Sequence, residues 1–211
     1  MKNKTMLEMA EDIRERFDSL ISLLSSEDAL NQKLSQFYTG NKEKMLWSKT
    51  NAFSIVPFYN ELTGFKTGEM QHKEPKNKKN VYCYFMDEDS GEINKVISYN
   101  SKGNVEDTSY IIREGNSSIE VRQDFRGDFI ALSQTFFDGN KCPLSSYFAS
   151  EDGNVSGYYY FYKNDKINEI LAVSKNSPLP YVTLLCEYDE NGIIKKIYFN
   201  KKEAQVVVYP R

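Results

Sequence analysis

Histidine and cysteine are the scarcest reactive side chains in this sequence: 211 residues hold one histidine, His72, and three cysteines, Cys83, Cys142 and Cys186. The cysteines are widely spaced and form no CxxC pair, which argues against both a disulfide framework and a zinc site and reads as three reduced strand residues. A Ser-His-Asp or Cys-His catalytic site would have to use His72, which sits beside a lysine-rich stretch and is expected to be an exposed loop residue. Glycines occur singly and none opens a helix, so there is no phosphate-cradling loop. A metal site would have to be built from carboxylates, and Asp87-Glu88-Asp89-Ser90-Gly91 lacks the spaced ligands and distal glutamate of a calcium loop; it reads as a polar hairpin tip. No run approaches the roughly 18 apolar residues of a membrane span. Met1 to Ala10 carries polar residues and acids where a signal peptide needs an apolar core. The expectation is a cytoplasmic, non-enzymatic chain with no metal and no cofactor. The 30 acids do offer carboxylate pairs for glycoside hydrolysis. They cluster, however, at turn tips such as Asp87, Glu88, Asp89, Glu151, Asp152, Asp189 and Glu190, where solvation accounts for them.

Aromatic residues are plentiful, with 15 Tyr and 13 Phe in a chain that is 40% hydrophobic, a composition that favours strands and a packed core. The net charge of −3 divides unevenly: residues 1–40 carry 7 acids against 5 bases, residues 41–80 carry 8 bases against 4 acids, and residues 81–211 carry 19 acids against 14 bases. In residues 5–24, Met6, Ile13, Phe17, Leu20, Ile21 and Leu24 recur at helical spacing opposite Glu8, Glu11, Asp12, Glu15 and Arg16, which predicts an amphipathic helix. A second helix is predicted from Ser25, with Asp28 as a capping-box acid, Leu30, Leu34 and Phe37 as its stripe and Gly40 as its stop. Residues 1–40 thus read as a helical hairpin. Residues 41–80 read as an irregular connecting segment with one short strand, Phe53-Ser54-Ile55-Val56, ended by Pro57. Its tail, Lys73 to Asn80, is expected to be a solvated linker; without interleaved aromatics its lysines do not make a nucleic-acid contact.

From Val81 to the end the pattern changes to short apolar runs separated by turn residues. Turns are predicted at Asp87–Gly91, Asn100–Asn104, Glu114–Ser117, Arg126–Asp128, Asp138–Lys141, Glu151–Asn154, Lys163–Asp165, Lys175–Pro180, Asp189–Gly192 and Asn200–Glu203, leaving about eleven strands. Connections this short force antiparallel neighbours. The fold class is therefore mainly β with N-terminal α-helices (α+β): an antiparallel β-meander over 81–211, strongly curved or barrel-like, packed on the helical hairpin. Ile119, Val121 and Phe125 alternate with Glu120, Arg122 and Asp124, as a half-buried strand requires. Tyr158 to Tyr162 place aromatics on both faces, so the outward face there is either covered or offered to a partner.

A degenerate unit recurs: aromatic, Asp or Asn, two residues, Gly, one residue, then Val or Ile. It appears as Tyr99-Asn100-Ser101-Lys102-Gly103-Asn104-Val105 and as Tyr188-Asp189-Glu190-Asn191-Gly192-Ile193-Ile194. Asp or Asn bonds the backbone at the start of the turn and Gly takes the positive φ. This unit resembles the YD repeats of bacterial Rhs-type proteins and, more loosely, the hairpin repeats of polymorphic-toxin immunity proteins. The resemblance implies a role as an immunity protein that binds and neutralises a toxin, or as a shell fragment, and brings no catalytic residues with it.

The expected function is a non-enzymatic protein-binding module whose partner is a basic toxin domain, with no nucleic-acid or membrane partner. Tyr is favoured at interfaces and acidic surfaces steer basic partners, so Tyr158, Tyr160, Tyr162, Glu187, Tyr188, Asp189 and Glu190 are the candidate contact residues. The alternatives are a structural shell or scaffold piece that self-associates through open sheet edges, and a β-barrel that binds a small ligand among inward Tyr and Phe side chains.

Overall fold

The computed structural model describes residues 4–37, 42–202 and 204–211; the predicted helix stop at Gly40 and the end of the last turn, Glu203, lie outside these. Two helices, α1 (Met6–Leu24) and α2 (Glu27–Ser35), precede β1 (Glu43–Ser48). After a long segment carrying the short α3 (Tyr59–Leu62), eleven strands follow. They are β2 (Tyr82–Asp87), β3 (Ile93–Tyr99), β4 (Val105–Glu114), β5 (Ser117–Asp124), β6 (Phe129–Phe137), β7 (Pro143–Ser150), β8 (Val155–Lys163), β9 (Lys166–Ser174), β10 (Val182–Tyr188), β11 (Ile194–Lys201) and β12 (Ala204–Tyr209). All twelve lie in one antiparallel sheet in chain order, so the predicted eleven-strand meander is present with β1 added at its edge. No described helix is long and apolar enough to cross a membrane.

The turns explain why the meander is regular. At five of them, starting at Asn100, Asp124, Asp138, Ser150 and Asp189, the first residue donates its N–H to the carbonyl four residues on. The N–H three residues on returns to the first residue's own carbonyl. In four of the five the side chain of the first residue also accepts from the backbone N–H groups two and four residues on, for example Asp189 from Asn191 (2.9 Å) and Ile193 (2.8 Å). The fourth residue is left-handed: Gly103, Gly127, Gly153 and Gly192, or Lys141 with φ 62. The repeat seen twice in the sequence is thus a turn used five times, four times with an Asx side chain at its start and once with Ser150, each with one positive φ.

One face of the sheet carries the helices. Ala10, Ile13, Phe17 and Leu20 of α1 and Leu30 of α2 pack on Ile112, Ile119, Val121, Leu132, Tyr147, Ala149, Leu171 and Val173. Thr5 and Glu8 cap α1 reciprocally. The cap of α2 is Ser26 rather than Ser25, and its side chain makes no capping bond. Gly157 sits under α1, where a Cβ would lie 2.3 Å from Ile13 Cγ2. The helix can approach the sheet only because β8 carries no side chain there.

The other face, hereafter the inner face, is crossed by residues 49–71. Ile55 and Val56 pack on Leu46, Tyr84, Val96 and Ile111, with Phe53 and Tyr59 beside them. Phe58 and Leu62 join Tyr160, Ile170, Leu184, Cys186 and Ile197 at the other end, and α3 touches β12. A flat twelve-strand sheet would span about 53 Å, whereas the segment from Ser48 to Leu62, with its last four residues in the helical turn α3, reaches at most about 45 Å. The sheet therefore curls round this segment. It does not close: β1 and β12 remain its two edges, and the barrel-like alternative is corrected to an open, filled sheet. Along β1, Trp47 exchanges both backbone bonds with Gln71 (2.8 Å each).

Three local expectations change. Phe53 to Val56 is not a strand, because Asn51 Oδ1 accepts from Phe53 N–H and Ser54 Oγ from Val56 N–H, taking backbone donors that a ladder would need. The true strand of this region is β1, whose Glu43-Lys44 start is polar. Lys73 to Asn80 is more than a solvated linker, since Lys78 lies over the rings of Trp47 (5.0 Å) and Tyr99 (5.6 Å) and pairs with Glu74 (2.8 Å). Cys83 and Cys186 are buried strand thiols as expected, but Cys142 lies in the β6–β7 turn. His72 is exposed.

Candidate functional site

Where residues 49–71 arch away from β2–β5, a cleft of about 910 Å³ opens on the inner face. Its floor is set by strand register. Tyr82, Ser98 and Asp107 are successive cross-strand partners on β2, β3 and β4, and Val96, Ser109 and Arg122 form the adjoining row on β3, β4 and β5. Glu120 lies two residues before Arg122 on the same face. The cleft wall is the arch itself, including Asn51, Phe53, Tyr59, Asn60 and Phe65.

The arch is pinned at several points. Tyr84 Oη accepts from Ala52 N–H at 2.7 Å. Asn60 Nδ2 donates to Asn51 O and Thr67 Oγ1, both at 3.0 Å. Buried Glu61 accepts from Thr67 N–H, and fully buried Thr135 donates to Ile55 O at 2.8 Å while sharing a 2.7 Å bond with Ser146. Gly68 is obligatory, since a Cβ there would lie 2.4 Å from Thr50 O. Phe58 adopts φ 57 and ψ 26 just before α3, a left-handed conformation disfavoured for an aromatic residue and held by its packing against Tyr188 (ring centroids 6.4 Å).

Charge on the floor is arranged around Arg122. Its Nη2 donates to Glu120 Oε1 at 3.1 Å, its Nε donates to Ser109 Oγ at 3.2 Å, and Asp107 lies 4.0 Å from Nε. Burial opposes the charge on Arg122, but Glu120 and Asp107 outweigh it and hold its pKa above the ordinary value. Burial also raises the hydroxyl pKa of Tyr59 and Tyr82, Tyr59 against the opposing pull of Arg122 and Tyr82 with Asp107 adding to the rise. Ser98 is 6% exposed and its Oγ has no hydrogen-bond partner among the described residues. At the rim, Lys49, Lys66, Glu69 and Glu106 are exposed. Among the described residues no three His, Cys, Asp or Glu side chains gather as a metal site.

The seven residues singled out from the sequence do not share a surface. Tyr158 packs between the two inner-face clusters, and Tyr160 is buried in the second. Tyr162 and Tyr188 spend their hydroxyls on Pro143 O (2.8 Å) and Ile167 O (2.7 Å). Asp189 is committed to its turn, while Glu187 and Glu190 are exposed. The tyrosine-rich face of β8 is therefore covered at Tyr158 and Tyr160 by residues 55–62 of the arch, while Tyr162 is exposed. The cleft was missed because its charged residues alternate with apolar ones, as in any half-solvated strand. The signal that could have found it is a row of small or charged side chains, Ser98, Asp107, Ser109, Glu120 and Arg122, falling in phase on three adjacent strands. Compared with known proteins, the chain matches no family model and no curated sequence.

Proposed function

We propose that this chain is a non-enzymatic protein-binding module of the immunity type, which neutralises a basic toxin domain by docking it over the inner-face cleft. The observation that carries the reading is the cleft itself: a wide, charged concavity whose floor is a hydrogen-bonded sheet and whose wall is fixed by Tyr84, Asn60 and Thr135. Such a surface loses little entropy on binding. The lining holds Glu69, Glu106, Asp107 and Glu120 against Lys49, Lys66 and Arg122, and the surplus has the sign of the chain's net charge of −3. Both favour a basic partner and salt-sensitive association. A second reading, a small polar ligand, is favoured by the volume, which falls within the roughly 300–1,000 Å³ of small-molecule sites.

The test is co-expression of the tagged chain with the product of the neighbouring reading frame, followed by calorimetry of the purified pair at low and high salt. The expected result is a one-to-one complex that weakens at least about tenfold with salt and is abolished by Asp107→Lys. A complex indifferent to Asp107→Lys and Tyr82→Ala would remove the cleft from the reading. No complex, with a small polar molecule retained instead, would replace it by the second reading.

A further inference from the structure

Asp107 and Ser98 are cross-strand partners on the cleft floor, and both have acceptor capacity left free by the described residues around them. The Ser98 hydroxyl is buried and has no partner among the described residues. The Asp107 carboxylate stands 4.0 Å from Arg122 Nε, beyond hydrogen-bond reach, because Arg122 turns its donors to Ser109 and Glu120. Two carboxylates flank one guanidinium, so this part of the floor keeps one unbalanced negative charge in a half-buried setting, where an incoming cation is screened less than at an open surface. On the strand beyond Ser98, in the same row, stands the half-buried ring of Tyr82, and aromatic faces attract cations.

We infer that this row is a cation subsite, taking a guanidinium or ammonium group against Asp107, with Ser98 Oγ accepting a second hydrogen bond and Tyr82 supplying an aromatic flank. Resting on the proposed function, the group is an arginine or lysine side chain of the docked partner. The two unmet acceptors then become the partner's anchor point. An anion in the same place would face Asp107 and Glu120 and be repelled.

The experiment titrates the full-length chain with blocked single amino acids, N-acetylated and amidated arginine, lysine, glutamine and glutamate, and follows the tyrosine ring signals by NMR. Blocked arginine is expected to saturate and to shift the Tyr82 ring. Asp107→Asn should weaken it about tenfold and Ser98→Ala severalfold, both variants keeping the wild-type thermal transition. Equal binding of glutamine and arginine, preference for glutamate, or indifference to Asp107→Asn would overturn the subsite. The two proposals fail separately. A toxin-type partner whose affinity ignores Asp107→Asn leaves the binding function standing and sinks the subsite. Asp107-dependent arginine binding by a chain that captures no protein keeps the subsite and sinks the immunity reading.

Discussion

Substituting Gly157 tests the packing that seats α1 on the sheet. An added Cβ would lie 2.3 Å from Ile13 Cγ2, 3.2 Å from Phe17 Cε1 and 3.2 Å from Tyr147 Cδ1. The first distance is far below contact, and Ile13, with no exposed surface, has nowhere to go. Overpacking of this kind costs about 1–3 kcal/mol, against which alanine gains about 0.5–1 kcal/mol over glycine in a strand interior. Gly157→Ala should therefore lose about 1–2 kcal/mol, read as a lower urea midpoint with an unchanged slope. Gly139→Ala, in a turn with open space around the new atom, is the control and should stay within about 0.5 kcal/mol of wild type. The decisive measurement is the cycle with Ile13→Ala. That change alone should cost about 2–5 kcal/mol, but less in the Gly157→Ala background, where the new methyl fills part of the cavity. Strict additivity of the two changes, or a neutral Gly157→Ala, would refute the close-approach argument.

Two further outcomes follow from groups buried under the arch and in the strands. Arg122→Met leaves Glu120 buried without its partner and should cost about 3 kcal/mol near neutral pH. Glu120→Gln with Arg122→Met should recover most of the loss, because it removes the uncompensated buried charge. A double variant no more stable than Arg122→Met in urea melts would show that the pair is not coupled. Burial pushes the Cys83 thiol from 9.0 up to about 11 and that of Cys186 up to about 12. Stability should accordingly be full below pH 9 and fall as the pH rises beyond it, because the unfolded thiols ionise first; Cys83 contributes on the order of 3 kcal/mol of that loss. Cys83→Ala should flatten the dependence, and a urea midpoint constant from pH 8 to about 11 would contradict it.

Turn chemistry was the most legible part of this chain because it is local. Asp124, Asp138 and Asp189 each satisfy the backbone within four residues, so the sequence around them suffices to place the turn, and with it the strands on either side. The α1 stripe was legible for the same reason: Ile13, Phe17 and Leu20 declare one face by spacing alone. Closure was not legible, because it depends on what fills the inner face, and the filler is distant in sequence. Nothing within Ala52 to Val56 shows that Tyr84, some thirty residues on, accepts from Ala52, or that Thr135 reaches Ile55. The same ignorance made Tyr158 and Tyr160 look available for contact when they lie beneath the arch.

The inner face divides into two apolar regions and one polar strip, and the division bears on what the protein is for. At one end Ile55 and Val56 press on Tyr84 and Ile111; at the other Phe58 and Leu62 press on Ile170 and Leu184. Between β3 and β5 the arch stands off, and the strip beneath it carries Ser98, Asp107, Ser109, Glu120 and Arg122. A sheet under selection for stability alone would close this gap with apolar side chains, since replacing a buried ion pair by well-packed hydrophobic residues is often neutral or stabilising by about 1–4 kcal/mol. Here the strip carries the Glu120–Arg122 pair instead, and Gly68 lets the arch pass Thr50 beside it. The buried charge costs stability, and both features lie at the opening. A stability cost placed at a concavity is what the proposed binding role requires. Under the proposal, a docked partner offsets that cost, and replacing Glu120 and Arg122 together by apolar residues should raise stability while abolishing binding.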